Sequence, residues 1–380
     1  MNAAVIVEYV RSPFHPAKKG ELTSVRPDEL AAVVVRDLVA RSKVNPDDIE
    51  DVLVGCAFPE AEQGFNVARL IGLMAGIPQS AGGATINRFC GSSMNAIHMA
   101  AGSIAMGAGE VFVCAGVESM TRVPMMGFNP MPNPKFAAER PDAYIGMGDT
   151  AENVARRWQI SRAEQEAFAV ESHRRAAEAR AAGKLQPEIV PITTKRGTVS
   201  EDGCIRPETT TEGLATLKPA FSADGSVTAG TSSPLTDGAS AVLVTSETYA
   251  RNNGLDILAR IKSVAIAGCD PAIMGIGPVA STKKALARAG IEVGQLDVIE
   301  LNEAFASQSI ACIRDLGMSD MLSKINIDGG AIALGHPLGA TGARIVGKAA
   351  SLLKREGGQF ALATQCIGGG QGIATVLEAA

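Results

Sequence analysis

Two cysteines and one histidine of this 380-residue chain occupy three separate glycine-rich turns. They read Asn87-Arg88-Phe89-Cys90-Gly91-Ser92-Ser93, Ala333-Leu334-Gly335-His336-Pro337-Leu338-Gly339 and Gln365-Cys366-Ile367-Gly368-Gly369-Gly370. A thiol nucleophile, a second thiol and an imidazole, on backbone that a ligand can approach closely, are the parts needed to pass an acyl group through a thioester. His336 can take a proton from a thiol and then donate a hydrogen bond to a developing oxyanion. Cys366 ends an apolar, strand-like run, a place for a reactive thiol beside an exposed Gly368 N–H. Taken alone, Cys90 reads equally as a small packing residue at a helix start; the other two turns favour chemistry. Cys56, Cys114, Cys204, Cys269 and Cys312 have no turn of this kind and read as structural.

Such residues need elements to position them. Short apolar runs alternate with longer amphipathic ones, the pattern of an α/β protein. Strands are expected at 3–7, 52–54 and 111–115, and helices at 28–41, 64–75 and 162–182. In the last helix His173, among Glu171, Arg174 and Arg175, reads as part of a solvated face. Residues 120–148 and 187–230 are rich in turn formers and lack periodicity, so 119–231 reads as an inserted subdomain of long loops around that helix. The remainder repeats itself. A spacer, an aspartate and a strand recur at 44–54 and 293–301. The helix from Gly91 leads through Gly109 into one strand, as the helix from Gly339 leads through Gly358 into another. Two copies of one α/β unit follow, 1–118 with 232–252 and then 253–380. Cys90 and His336 both precede equivalent helices, whose N-termini then point at one central site. Partial positive charge and free N–H groups there favour a thiolate and bind oxyanions.

Composition narrows the class further. Hydrophobic residues make up 46% and charged residues 20%, as expected for a well-buried globular chain of two or more packed units. A net charge of -5 gives no electrostatic case for nucleic acid. An odd count of seven cysteines without CxxC or Cys/His metal spacing argues for a reducing compartment, no disulfide framework and no metal site. The N-terminus lacks a signal-peptide pattern, and no apolar run is long enough to span a membrane, so a cytoplasmic protein is expected.

At these residues the chain resembles the thiolase family. Besides the three turns, the matching motifs are Asn302-Glu303-Ala304-Phe305-Ala306, Val227-Thr228-Ala229-Gly230-Thr231-Ser232-Ser233-Pro234-Leu235-Thr236-Asp237 and Met274-Gly275-Ile276-Gly277-Pro278. The resemblance runs through essentially the whole chain, in the family's order. It implies a duplicated αβαβα five-layered core with an inserted loop domain, and a homodimer or homotetramer. It implies Cys90 as the acylated nucleophile and His336 as its activator, which also forms one oxyanion hole with a water held by Asn302. Cys366 is then the acid/base, and the N–H groups of Cys90 and Gly368 form a second oxyanion hole. Arg206, Ala220, Phe221 and Ser233 fall at positions that line the CoA channel in thiolases, with Met147 and Met274 bordering the acyl pocket. CoA and acyl-CoA are substrates, and no metal or organic cofactor is implied. Association with a multifunctional β-oxidation enzyme is compatible with the resemblance.

One departure bears on the substrate. Short-chain biosynthetic thiolases commonly carry histidines in the covering loop and a His-Met pair before the helix that follows. Here 120–145 has no histidine, and Gly146 precedes Met147. Ile205-Arg206-Pro207-Glu208 also resembles the degradative branch. Both features lean toward a 3-ketoacyl-CoA thiolase, with Met120, Met125, Met126, Phe128 and Met131 available to line a longer acyl group. The alternatives are an acetyl-CoA acetyltransferase making acetoacetyl-CoA, a decarboxylating ketoacyl synthase, which would lack Cys366, and a non-catalytic CoA- or lipid-binding relative, which would be expected to have lost one of the three residues.

Overall fold

The computed structural model describes residues 3–380; residues 1 and 2, with which the first expected half begins, lie outside them. Along the first part run β1 (Ala4–Arg11), β2 (His15–Pro16), α1 (Pro27–Ser42), β3 (Asp51–Gly55), α2 (Val67–Ala75), β4 (Gly82–Ile86), α3 (Ser92–Met106) and β5 (Val111–Ser119). Between β5 and the next long strand lie α4 (Pro134–Glu139), α5 (Met147–Arg157), α6 (Arg162–Ala181), the hairpin β6 (Ile192–Thr194) and β7 (Gly197–Val199), and α7 (Thr211–Ala215). The chain continues through β8 (Thr236–Ser246), α8 (Glu247–Asn252), β9 (Ala259–Gly268), α9 (Gly277–Ala289), β10 (Val298–Leu301), α10 (Ala306–Asp315), α11 (Ala331–Leu334), α12 (Leu338–Glu356), β11 (Phe360–Ile367) and β12 (Gln371–Glu378).

Local chemistry sets the boundaries. Pro27 opens α1 with Asp28 and Glu29 in its first turn, and Lys43 closes it in a left-handed conformation. Ser161 and Glu164 form a capping box that starts α6. α2 begins at Val67 rather than at residue 64, because Phe65 and Asn66 both adopt positive φ and break the helical path. The strands outrun their expected lengths: β1 reaches Arg11 and β5 reaches Ser119. The stretch 120–148 contains α4 and the start of α5, so it is not wholly loop.

The duplication is visible in the ladders. In the first copy β1 pairs antiparallel with β8, β8 antiparallel with β5, and β5 parallel with β3, which pairs parallel with β4. The second copy repeats the pattern: β9 antiparallel with β12, β12 antiparallel with β11, and β11 parallel with β10. A single short seam, Val5 with Arg260 and Ile6 with Ala259, joins the two into one continuous sheet. α1 and α2 cover the outer face of the first copy, where Leu30, Val34, Val35, Leu38 and Ile71 are buried against β-strand valines. α9 and α10 cover the second. α3 and α12 pack together between the two and share one core with strands of both. Five layers result, α-β-α-β-α, with the two buried helices at the centre. Each aliphatic side chain buried in these layers contributes about 1.5–3 kcal/mol relative to exposure.

α12 also carries charge into the core. Arg344 pairs with Glu300 of β10 at 2.8 Å, and Lys348 with Glu188 and Asp328, each at 2.8 Å. Glu188 in turn meets Arg11 of β1, which also holds Asp202, both at 2.7 Å. The helix behind His336 is thus clamped by acids from β10, from the 326–330 loop and from the segment between β5 and β8.

Candidate active site

Both central helices begin at one place. Cys90 lies in a tight turn, Phe89–Gly91, that runs directly into α3. Phe89 sits at φ +41, a left-handed conformation that costs a non-glycine residue about 1–2 kcal/mol and turns the next side chain inward. Cys90 is buried against Ala57, Met120 and Leu338. A Cβ on Gly91 would lie 2.5 Å from Ile367 Cδ1, so glycine is what lets this turn close on β11. Gln365 Nε2 donates to the Cys90 carbonyl, joining the first copy to the strand that carries Cys366.

Burial dominates the Cys90 pKa and pushes it up to about 11, against the lowering influence of the Gly368 N–H. The buried Glu118 carboxylate acts in the same upward direction. The helix start therefore does not make Cys90 a thiolate at rest, contrary to the expectation from helix polarity: exclusion of water outweighs the partial charge. Gly368 itself is buried, and it is Gly369 that faces solvent.

Cys366, near the end of β11, is fully buried among Ala151, Val227, Met274, Ala304 and Phe305, with Met147 alongside. Burial raises its pKa most, followed by the proximity of Cys90 and of Cys312. The two thiols of the sequence motifs thus share one buried neighbourhood.

His336 is buried as well. Thr341 Oγ1 gives its one proton to Pro337 O at 3.1 Å, so it accepts from His336 Nδ1 at 2.6 Å. That fixes the neutral tautomer with Nε2 free of hydrogen, and Nε2 faces Asn302 Nδ2 at 3.4 Å. Burial, assisted by the Arg344 charge, lowers the imidazole pKa to about 3. Asn302 sits at the end of β10, where its N–H donates to Thr364 O, and its Oδ1 is buried and uncommitted. Glu118 ties the surroundings together, accepting from Ala57 N–H at 2.8 Å, Gln63 Nε2 at 2.8 Å and Gly339 N–H at 2.9 Å.

The residues expected to meet CoA are only partly gathered. Met147 and Met274 flank Cys366. Phe221 is exposed but stacks edge-on against Phe305, with ring centroids 5.9 Å apart. Ser233 donates through its N–H and Oγ to Ala304 O, at 3.0 and 3.1 Å. Ala220 is exposed, its N–H bonded to Val227 O. Arg206 is exposed and lines a small cavity with Cys204, His173, Ser232 and Pro234. His173 does not lie on a solvated face: it is buried, and its Nδ1 accepts the Arg206 N–H at 3.1 Å. Of the five side chains expected to line an acyl pocket, Met120 alone packs on Cys90, while Met125, Met126, Phe128 and Met131 are 39–82% exposed in the single chain. Thr341, Thr236, Glu118 and Gln365 were given no role by the sequence. A hydroxyl five residues after a histidine that opens a helix is the signal that marks Thr341. Among the described residues no His/Cys/Asp/Glu group is placed to hold a metal ion, and no helix is long and apolar enough to cross a membrane.

Fold and site together define an acyl-transferring enzyme built from two α/β copies. The thiolase N-terminal domain matches residues 4–248 and the thiolase C-terminal domain residues 255–379, so the chain belongs to the thiolase family of acyltransferases. It is 51% identical to the 3-ketoacyl-CoA thiolases of Shewanella frigidimarina and of Shewanella oneidensis, over the full length of each chain. Its structure is similar to the crystal structure of human mitochondrial 3-ketoacyl-CoA thiolase in complex with CoA, with a TM-score of 0.91 and 37% identity over 100% of this chain and 98% of that one. A second crystal structure of human mitochondrial 3-ketoacyl-CoA thiolase gives a TM-score of 0.92 and 37% identity over 100% of this chain and 99% of that one.

Proposed function

We propose that this chain is a 3-ketoacyl-CoA thiolase that works through an acyl-Cys90 thioester. The observation that carries the reading is the meeting of the two copies at one thiol: Gln365, next to Cys366, donates to the Cys90 carbonyl, and the buried Cys90 and Cys366 thiols influence one another. In the degradative direction His336 Nε2 takes the Cys90 proton, and the sulfur attacks the 3-keto carbon. The bond between C2 and C3 then breaks, and its electrons pass to the departing acetyl-CoA enolate. Cys366 protonates the enolate carbon. CoA next gives its thiol proton to the Cys366 thiolate and attacks the thioester, and His336 returns its proton to Cys90. Both thiols end as they began.

Two oxyanions need donors in this scheme. The N–H groups of Cys90 and Gly368 serve one, and His336 with a water on the uncommitted Asn302 Oδ1 serves the other. Each well-placed donor is worth about 3–4 kcal/mol at the transition state. The buried imidazole is neutral at rest, so its Nε2 is open to a proton, and the developing oxyanion near it has to favour the protonated ring for the transfer to proceed. CoA is a substrate and no further cofactor enters. Arg206, Ala220, Phe221 and Ser233 are assigned to the CoA channel on the family resemblance, and the CoA complex of the human relative supports CoA as a ligand. Seven free cysteines support a reducing, cytoplasmic setting. A homodimer or homotetramer belongs to the same reading: β4 ends the sheet as an edge strand, and Phe65 and Met106 are 93% and 87% exposed in the single chain.

The test is thiolysis of a 3-ketoacyl-CoA series. kcat/KM should rise from four carbons to six and more, because each added buried methylene contributes up to ~0.8 kcal/mol. A flat or falling series would assign the chain to acetoacetyl-CoA instead.

A further inference from the structure

Thr236, the first residue of β8, is fully buried where four segments meet. Its Oγ1 donates to Pro234 O at 2.6 Å and accepts the His336 N–H at 3.0 Å. Its own N–H points at Met120 Sδ, 3.4 Å away, and Met120 packs on Cys90. Across the ladder it pairs with Pro16. Gly335, at φ +106, lies so close that a Cβ there would sit 2.7 Å from Thr236 Cγ2 and 3.3 Å from Cys204 Sγ. That glycine admits the threonine, and the threonine fills the space.

We propose that Thr236 is a positioning residue for the reaction: its hydroxyl fixes the backbone of His336 against the Ser232–Pro234 loop and against Met120 beside Cys90. The inference rests on His336 acting as the base. The imidazole end of His336 is oriented by Thr341 and Asn302. Its backbone end turns on one bond, to Thr236. The hydroxyl has a single proton, given to Pro234 O, so a lone pair is left for the His336 N–H, and one oxygen sets the distance between the loop assigned to CoA and the base. Valine at this position has nearly the same shape but offers neither bond. It would leave the buried His336 N–H and the half-buried Pro234 carbonyl without this partner, and the His336 segment would shift to find a new one.

The experiment compares Thr236→Val, Thr236→Ser and His336→Ala as full-length proteins in steady-state thiolysis. Thr236→Val should lower kcat by about 10- to 100-fold, the scale of a small misplacement of a reacting group, with a much smaller change in KM for either substrate. Thr236→Ser, which keeps the oxygen, should retain most of the parental kcat. Parental kcat in Thr236→Val alongside an inactive His336→Ala would overturn the positioning role alone. A Thr236→Ser enzyme with a strongly reduced kcat would overturn it too, since packing by the methyl group would then be what matters; this holds even if the valine variant does not fold. Parental turnover in His336→Ala would instead remove the base assignment beneath it.

Discussion

Burial makes Cys90 a poor anion at rest, and the geometry around it is arranged to tolerate that. In the proposed mechanism the proton passes to His336, an imidazole held neutral by burial and by the Arg344 charge. Alkylation of the resting enzyme at Cys90 should therefore rise about tenfold per pH unit between about pH 7 and 10, because only the thiolate reacts. A plateau below pH 8, followed by peptide mass spectrometry, would show an anion already formed. Cys90→Ala should form no acyl adduct by intact mass and should lose all turnover. Cys366→Ala should still acylate at Cys90 from an acyl-CoA donor, yet no longer exchange the acetyl-CoA methyl protons with solvent. Exchange at the parental rate in that variant would take Cys366 out of the proton transfer. Cys90, His336 and Cys366 could be singled out as candidates in the sequence because each stands locally as a reactive side chain among glycines. Thr341 and Thr236 could not. They act through bonds to a backbone or ring that says nothing of its partner, in the case of Thr236 one that lies 100 residues further along the chain.

Among the elements α12 is the one whose role outruns its sequence. A helix was expected from Gly339, and its position after His336 marked it as a functional one. The buried Arg344 and Lys348 were not readable, since the acids that balance them come from β10, from Asp328 and from Glu188. Arg344 still has Nε and Nη2 uncommitted, and Glu300 has Oε1 uncommitted. Desolvation raises the Glu300 pKa to about 7, only partly offset by Arg344. Its folded pKa thus lies above the unfolded value, so the stabilising contribution of the held proton is full at acid pH and is lost as pH rises through 7. Glu300→Gln removes that dependence. In urea melts the variant should gain on the parent as pH goes from 5 to 8, by up to about 3 kcal/mol for a shift of this size. A pH-independent difference between the two proteins would mean that Glu300 is ionised throughout. The same long-range logic explains His173, whose neighbours along the helix are charged but whose ring turns inward to the Arg206 backbone.

For the molecule as a whole, the duplication could be read from the order of spacers, strands and glycines, because two copies under one packing constraint keep the same punctuation. The seam between them could not, since it depends on two residue pairs that no periodicity marks. The subunit count belongs to this scale too. β4 ends the sheet as an edge strand, only partly covered by the Asn66 side chain on the Gly83 carbonyl, and such an edge is suited to a two-fold partner. Sedimentation at micromolar concentration should show a dimer or tetramer, and Phe65→Glu with Met106→Glu should shift it toward monomer with loss of activity. A fully active parental monomer would refute that expectation.

Cys90 belongs to the first copy, while Asn302, His336 and Cys366 belong to the second. On the proposed roles, the two copies divide the labour of the reaction, and the site behaves like a lock with two keyholders. A chain severed between α8 and β9 should give two fragments, each silent by itself, whose mixing restores thiolysis only to the extent that the seam re-forms. Turnover would then serve as a gauge of how firmly two halves of one protein grip each other.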